Sequence, residues 1–286
     1  MDGNYSVQDL PPDALRRRLA ISGSLVALGL AACSGENAPP ATPEKRAAIP
    51  AASPVPKAVD APDLEAHGLL LPGLVDSASE GAFIDLIKAI DAAYSEGSIA
   101  IRVFPSARLD ANVAQGASDF TFPVMRLGPE AEAKMPYRFS TESLGRVSFV
   151  LYSHRDQPLD RQRLIDAARR DRAFRVQAPD GEWGFPTQRF IEFAEAFRLL
   201  DARRIDGFLW AQEEADLVLR RLGLKSIHRT HFQDYEDALW LPKTARGDFV
   251  DQVLTRVIRS MRESGALATH YARVHGAYQN WQPYRD

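Results

Sequence analysis

The chain has 286 residues, of which 45% are hydrophobic and 26% are charged, so it can bury a full core in one or two domains. Its net charge of -3 and isoelectric point near 6.1 argue against a nucleic-acid-binding surface. The arginines are scattered and form no basic patch, so we predict that the protein has no nucleic-acid partner.

The N-terminus has the features of a secretory leader. A basic triplet at residues 16–18 precedes an apolar run at residues 19–32, which is too short to span a bilayer comfortably. Residues 30–33, Leu-Ala-Ala-Cys, resemble the lipobox of bacterial lipoproteins, in which the cysteine becomes the lipid-modified first residue. We therefore predict a signal peptide over residues 1–32 and lipidation of Cys33, with a buried helix and an incidental cysteine as the alternative.

A segment rich in proline and alanine follows the leader. Residues 33–63 contain too few large apolar side chains to fold, so we expect an extended, disordered tether that holds a domain clear of a membrane. The folded domain is predicted to occupy residues 64–286. Cys33 is the only cysteine, which excludes an intrachain disulfide.

Apolar periodicity predicts alternating strands and helices in this domain. The predicted strands are residues 68–71, 99–103, 120–122, 144–152, 174–178, 205–210, 226–228 and 235–241. The predicted helices are residues 81–94, 159–172, 213–222 and 249–264, one with Leu109 and Val113, one with the apolar face Phe190, Phe193 and Phe197, and a terminal one with Tyr271.

Residues 99–123 form a predicted strand-helix-strand unit, and the chain is organised around it. The two strands of such a crossover are parallel, and ligands collect at the carboxyl ends of parallel strands. We therefore expect ligand contacts around residues 119–126 and in the loop after the first strand, at Asp76 and Ser77.

The order of these elements resembles family 3 of the periplasmic solute-binding proteins, the type II family best known for amino-acid uptake. The matching segments are residues 81–86, 109–119, 204–208, 261–265 and 271–272. The resemblance implies an α/β fold of two lobes, each a mixed, mainly parallel sheet flanked by helices, joined by crossing strands at residues 147–152 and 235–241. Lobe 1 would comprise residues 64–148 and 240–286, and lobe 2 residues 152–234.

The resemblance also implies a ligand in the cleft between the lobes. The candidate ligand-binding residues are Asp76, Ser77, Asp119, Phe120, Arg126, Gly181, Trp183 and Trp210. Amino-acid binders of the family hold the ligand carboxylate with an arginine in a Thr-x-x-Arg-like context, whereas Arg126 lacks the threonine and has a surface ion pair as its alternative role. Trp183 is expected to stand in the cleft and to exclude a simple amino acid, or else to cover the core of its own lobe.

Three functional hypotheses follow from this resemblance. The first is a lipid-anchored periplasmic protein, monomeric and without cofactor, metal or catalytic residue, that delivers a small ligand to an ABC permease. The second is an accessory protein that serves another periplasmic protein, such as a dehydrogenase. The third is a dehydratase-like enzyme whose acid would be Glu182, Glu213, Glu214 or Asp119. Ser34 after the cysteine favours sorting to the outer membrane.

Two histidines are candidate metal ligands by their spacing. His228 and His231 are three residues apart, but they flank a predicted strand and lack a third ligand, so we predict no metal site.

Overall fold

The computed structural model describes residues 58–190 and 192–285. The predicted signal peptide, Cys33 and most of the tether lie outside these ranges. Within them the chain forms nine strands and eight helices. No helix of the described part is long and apolar enough to cross a membrane.

The N-terminal half builds a parallel three-stranded unit. Its elements are β1 (Leu64–Leu69), α1 (Ala82–Ala93), β2 (Ile99–Phe104), α2 (Ser106–Ala114) and β3 (Phe120–Met125). Both β2 and β3 pair with β1 in parallel, so β1 lies between the two strands of the predicted unit. The first strand begins at Leu64 rather than Gly68. Leu64 and Ala66 are buried, and every residue of the strand is paired with a residue of β2.

The middle of the chain contains a second, smaller set of parallel strands. The elements are α3 (Pro129–Lys134), β4 (Tyr137–Phe139), β5 (Gly145–His154), α4 (Arg161–Ala168), β6 (Val176–Ala178), β7 (Gln188–Arg189), α5 (Phe193–Asp201), β8 (Gly207–Ala211) and α6 (Gln212–Leu222). Strands β7 and β8 are both parallel to β6. The sequence pattern did not predict α3, β4 or β7, which are too short to show a period. Helix α5 begins only at Phe193, so Phe190 lies before the helix rather than on its apolar face.

The C-terminal part begins with one long strand. It comprises β9 (Ile227–Pro242), α7 (Ala245–Glu263) and α8 (Ala266–Tyr271). The prediction of two separate strands here was wrong, because the polar stretch between them pairs with β5 and continues the ladder across a register shift. Pairing with a neighbour therefore determined this strand, where apolar periodicity did not indicate one.

The two parallel sets are joined through two antiparallel strands at the centre. The sheet order is β2-β1-β3-β9-β5-β8-β6-β7, with β4 also paired to β9. Strand β9 pairs with β3 and β5, and β5 pairs with β8, so these two strands cross from one half of the molecule to the other. Their positions agree with the predicted crossing strands. The division of the domain into lobes at particular residues stays a prediction.

Candidate functional site

A cavity lies where the carboxyl ends of the parallel strands of both halves converge. Its volume is about 190 Å³. The N-terminal half contributes the ends of β1 and β3 and the start of α2, and the second half contributes the ends of β6, β7 and β8. The central strands β5 and β9 form its floor. Open α/β sheets bind ligands at this position because the strand ends and following loops present their side chains there.

Most of the cavity wall is apolar. The lining residues are Leu69, Leu71, Ser106, Leu109, Pro123, Val124, Met125, Leu127, Val147, Phe149, Ala178, Pro179, Asp180, Arg189, Phe190, Trp210, Ala211, Glu214, Asp237, Trp240 and His275. The charged members fall into two places. Asp180 and Arg189 come from the loop and strand after β6, whereas Glu214, Asp237 and His275 are buried together.

The buried charged groups form a cluster of three carboxylates and one imidazole, which we call the acidic cluster: Glu213, Glu214, Asp237 and His275. His275 Nδ1 lies 3.0 Å from Glu213 Oε2, and His275 Nε2 lies 3.5 Å from Asp237 Oδ2. The Tyr271 hydroxyl donates to Asp237 Oδ2 over 3.2 Å. The Oε2 atom of Glu214 is buried and has no hydrogen-bond partner within the described residues.

Local sequence explains how these groups come together. Helix α6 begins immediately after β8, so Glu213 and Glu214 occupy its first turn, where the helix dipole favours carboxylates. His275 follows α8, and its backbone N–H bonds to the Tyr271 carbonyl. Gly145 has no side chain, which lets the Tyr271 ring pack directly on β5, since a Cβ there would come within 2.1 Å of the ring.

Burial controls the protonation of the acidic cluster. It raises the pKa of Glu214 to about 7 and that of Asp237 to about 6, with His275 opposing both shifts. Burial lowers the pKa of His275, but the close approach of Glu213 and the charges of Asp237 and the two glutamates outweigh it, so that this pKa rises to about 8. The cluster therefore carries a net negative charge when its carboxyl groups ionise, and it exchanges protons near neutral pH.

Asp119 and Phe120 lie at the opposite end of β3 from the cavity. Residues 119–126 were expected to lie at the carboxyl end of a strand, and for these two residues the expectation was wrong. Strand β3 runs from Phe120 to Met125, so Phe120 is its first residue and Asp119 precedes it. Asp119 is 5% exposed and pairs with Arg246, with Nε 2.8 Å from Oδ1. It also accepts the Glu65 backbone N–H over 2.7 Å. Phe120 is fully buried in the core.

Asp76 and Ser77 form a turn of their own after β1. Asp76 Oδ1 accepts the Gly73 backbone N–H over 2.9 Å. The Ser77 hydroxyl accepts the backbone N–H groups of Ser79 and Glu80. Neither residue lines the cavity, and their polar atoms stabilise the loop that leads into α1.

Arg126 follows the carboxyl end of β3, as expected, but its side chain takes the alternative role considered above. Its Nε lies 2.9 Å from Glu236 Oε2, and Nη2 donates to the Ser140 carbonyl over 2.7 Å. Arg126 lines a separate surface groove and is not among the residues that line the cavity.

The turn that contains Gly181 and Trp183 lies beside the cavity, with the indole directed into the core. Trp183 is 5% exposed, and its Nε1 donates to the Pro179 carbonyl over 2.9 Å. Its ring contacts Phe149, Phe232 and Tyr235. The expectation that the Trp183 side chain stands in the cleft was therefore wrong, and it packs in the way that its alternative described. Gly181 does not line the cavity, and neighbouring Glu182 forms an exposed ion pair with Lys134 at 2.9 Å.

Trp210 is the one candidate of the eight, all of them described residues, that lines the cavity. Its ring packs against the rings of Phe190 and Phe193, with distances between ring centroids of 4.4 and 5.2 Å. Glu214, considered above only as a possible acid, also lines it. Sequence reasoning missed Asp237 and His275, since a single acid in a strand and a single histidine after a helix carry no local signal.

The two histidines considered as metal ligands have other partners. His228 Nδ1 lies 2.8 Å from the Tyr284 hydroxyl, and His231 Nε2 lies 2.8 Å from Asp234 Oδ1. Within residues 58–190 and 192–285, no group of three or more histidine, cysteine, aspartate and glutamate side chains has an arrangement that could hold a metal ion.

Comparison with known proteins gives similarity in structure alone. No protein family profile and no curated protein sequence matches the chain. The GluR0 ligand-binding core from Nostoc punctiforme, in complex with L-glutamate, is similar with a TM-score of 0.55 at 14% identity over 73% of this chain and 98% of its own. An ancestral arginine-binding protein bound to arginine has a TM-score of 0.57 at 14% identity, covering 76% of this chain and 100% of its own. A histidine kinase sensor domain with similarity to periplasmic binding proteins has a TM-score of 0.60 at 16% identity, covering 75% of this chain and 96% of its own. The chain therefore has the two-lobed α/β fold of the periplasmic binding proteins.

Proposed function

We propose that this protein is a lipid-anchored periplasmic binding protein that holds a small ligand between two lobes and delivers it to an ABC importer. The observation that carries the proposal is the cavity at the converging strand ends, because residues from both halves of the molecule and from the crossing strands line it together. A ligand that touches both halves stabilises the closed state by its additional contacts.

The structural neighbours support a binding role. The GluR0 core and the ancestral arginine-binding protein each hold an amino acid, and another neighbour is the substrate-binding protein of an amino-acid ABC transporter. The lipid anchor and the periplasmic location rest on residues 16–33 of the sequence, and the tether would leave the binding domain free to reach a permease.

Native mass spectrometry of the gently purified protein tests the binding role. We expect a bound small molecule that is lost on denaturation and whose removal lengthens the maximum dimension measured by small-angle X-ray scattering. Absence of any bound mass, with no change in dimension on addition of periplasmic extract, would contradict the proposal. Replacement of Cys33 by serine tests the anchor separately, since it should move the protein from the membrane fraction to the soluble periplasm.

One observation favours the enzyme hypothesis as a second candidate. A general acid near neutral pH needs a carboxyl group whose pKa is raised, and Glu214 meets this requirement at the cavity wall. The net charge of the site argues against a prephenate-like substrate, because two substrate carboxylates would face three protein carboxylates. Turnover of such a compound, lost in Glu214→Gln, would establish the enzyme; its absence leaves binding as the function.

A further inference from the structure

We propose that the cleft selects an apolar ligand with a protonated amine and without a carboxylate, and that Glu214 binds the amine. This inference rests on the proposed binding function and names the class of ligand. Glu214 is 2% exposed and lines the cavity, and its Oε2 has no hydrogen-bond partner within the described residues. A buried carboxylate oxygen without a donor is costly, so a ligand that supplies the donor gains that energy on binding.

The neighbours of Glu214 do not fill this role. His275 lies at ion-pair distance from Glu213 and Asp237, although its Nδ1 and Glu213 Oε2 do not meet hydrogen-bond geometry, and Tyr271 donates to Asp237. The imidazole and the hydroxyl of this region therefore lie against the other two carboxylates. The Trp210 side chain interacts with the Glu214 carboxyl group and lowers its pKa, against the larger effect of burial. The missing donor must come from the cavity side, and the cluster sets three carboxyl groups against one imidazole. A cation satisfies the donor and the charge together.

The rest of the cavity suits an apolar body rather than a second charged group. Leu71, Leu109, Phe190 and Trp240 are among the residues around it, and aromatic faces also attract cations. A zwitterionic amino acid would need donors and a compensating charge for its carboxylate. Trp240 Nε1 is a buried N–H of a lining residue without a hydrogen-bond partner in the described chain, but a single neutral donor does not balance a carboxylate's charge. Of the lining cations in the described part, His275 is held within the acidic cluster. Arg189 is exposed, lies on the edge strand β7 and has interactions of its own.

Calorimetric titration with four ring-matched probes tests this inference on the full protein. The probes are 2-phenylethylamine, 2-phenylethanol, 3-phenylpropanoate and L-phenylalanine. We expect the amine to bind roughly tenfold to hundredfold more tightly than the alcohol, as a charge-assisted hydrogen bond predicts, and the two carboxylates to bind more weakly than the amine. Amine binding at pH 7 should also release protons, measured as a dependence of the heat on the buffer's ionisation enthalpy.

Glu214→Gln is the diagnostic variant, since it keeps the shape and removes the charge. It should abolish the preference for amine over alcohol and the proton release, with alcohol affinity unchanged. Glu195→Gln is the matched control, because Glu195 occupies the first turn of α5 but is exposed, and it should behave as the wild type does.

The outcomes separate this inference from the proposed function. Equal affinity for amine and alcohol, tighter binding of L-phenylalanine, or an amine preference retained in Glu214→Gln would overturn the inference while leaving a functional cleft. Failure of all four probes to bind at millimolar concentration would overturn the inference and count against a binding function as well.

Discussion

Asp216 and Glu214 lie two residues apart on α6, and their carboxylates have opposite surroundings. Arg229 binds Asp216 with both ends of its guanidinium, Nε at 2.7 Å from Oδ1 and Nη2 at 2.6 Å from Oδ2. The Tyr152 hydroxyl and the Trp281 indole N–H also donate to Asp216, at 2.7 and 3.0 Å. Every acceptor direction of this carboxylate that faces the protein is therefore occupied.

The Arg229 guanidinium is equally well bound. Its Nη1 donates to the Gln279 and Trp281 carbonyls, both at 2.8 Å. Its Cζ atom lies over the Trp281 ring, 4.4 Å from the ring centroid. The C-terminal segment is thereby fixed onto α6 and β9. This network is buried, and none of its members lines the cavity, so we assign it a structural role.

The acidic cluster differs from the Asp216–Arg229 network in three respects. It has more carboxylates than cations, it leaves Glu214 Oε2 without a partner in the described chain, and three of its members line a cavity. Two buried sets of charges on the same helix thus differ in whether the protein itself completes them. A complete set stabilises the fold, whereas an incomplete set beside a cavity is where a ligand gains binding energy.

The largest effect is expected for Arg229→Met. The side chain of Arg229 is 0% exposed, so the variant leaves Asp216 buried without its cation, and we expect a loss of about 3–5 kcal/mol in the free energy of unfolding. Urea denaturation measures this. Arg175→Met is the control, since its pair with Asp206 is half exposed and should cost far less. Equal losses in both variants would remove the distinction between the buried network and a surface pair.

The pH dependence of stability is the next largest effect. The pKa of the Glu214 carboxyl rises from 4.5 to about 7 on folding, so the folded state binds more protons between these values, and stability falls as pH rises through this window. The raised pKa values of Asp237 and His275 act in the same direction. The protein without ligand should therefore be more stable near pH 5 than near pH 8.

Glu214→Gln isolates the contribution of this one group. The difference in unfolding free energy between wild type and variant should change by on the order of 3 kcal/mol between pH 4.5 and pH 8. His67 and His228, whose pKa values burial lowers, oppose the trend but are present in both proteins, so they cancel in the difference. Parallel stability curves for the two proteins would show that Glu214 is not the group responsible.

A smaller effect is expected for Asp119→Ala, which tests whether a complete buried pair outside the cavity acts on stability alone. The variant leaves Arg246 largely buried without its carboxylate and removes the acceptor of the Glu65 N–H, so we expect a loss of about 2–3 kcal/mol in stability. Ligand affinity, measured by calorimetry, should stay unchanged. A selective loss of affinity would restore the sequence-based expectation that Asp119 belongs to the binding site.

The smallest effect is expected for Trp183→Phe, compared with Trp210→Phe. Trp183 is packed in the core, so its replacement should cost about 1–2 kcal/mol in stability and leave the ligand-induced change in tryptophan fluorescence intact. Trp210 lines the cavity, so its replacement should reduce that change. A fluorescence change that depends on Trp183 instead would place its indole in contact with the ligand.

Local pattern predicted much of the fold. Apolar spacing identified α1 and α7, and period-two runs identified β2 and β5, because burial on one face favours those periods. A short apolar run identified β8, which is buried along its whole length. It did not predict β7 or the middle of β9, where hydrogen bonds to neighbouring strands determine the structure and the side chains are largely polar or exposed.

The residues of the candidate site were harder to predict than the elements that carry them. The rule that ligands collect at strand carboxyl ends located the cavity correctly, but a boundary error of a few residues put Asp119 at the wrong end of β3. Trp183 and Arg126 are of residue types that are common in binding sites. The Trp183 ring instead packs in the core against Phe149, and Arg126 forms an ion pair with Glu236. Residue type and position in the chain do not determine where a side chain points.

The sequence by itself determined the order of the longer strands and helices, since each of these shows its periodicity within a short segment. Only the tertiary structure decided which charges meet. Glu214, Asp237 and His275 come from α6, β9 and the segment after α8, and no local pattern relates them. Their shared burial, which raises the pKa values of the two carboxyl groups and leaves one carboxylate oxygen of Glu214 without a donor, arises because the crossing strands and the C-terminal segment bring them together beside the cavity.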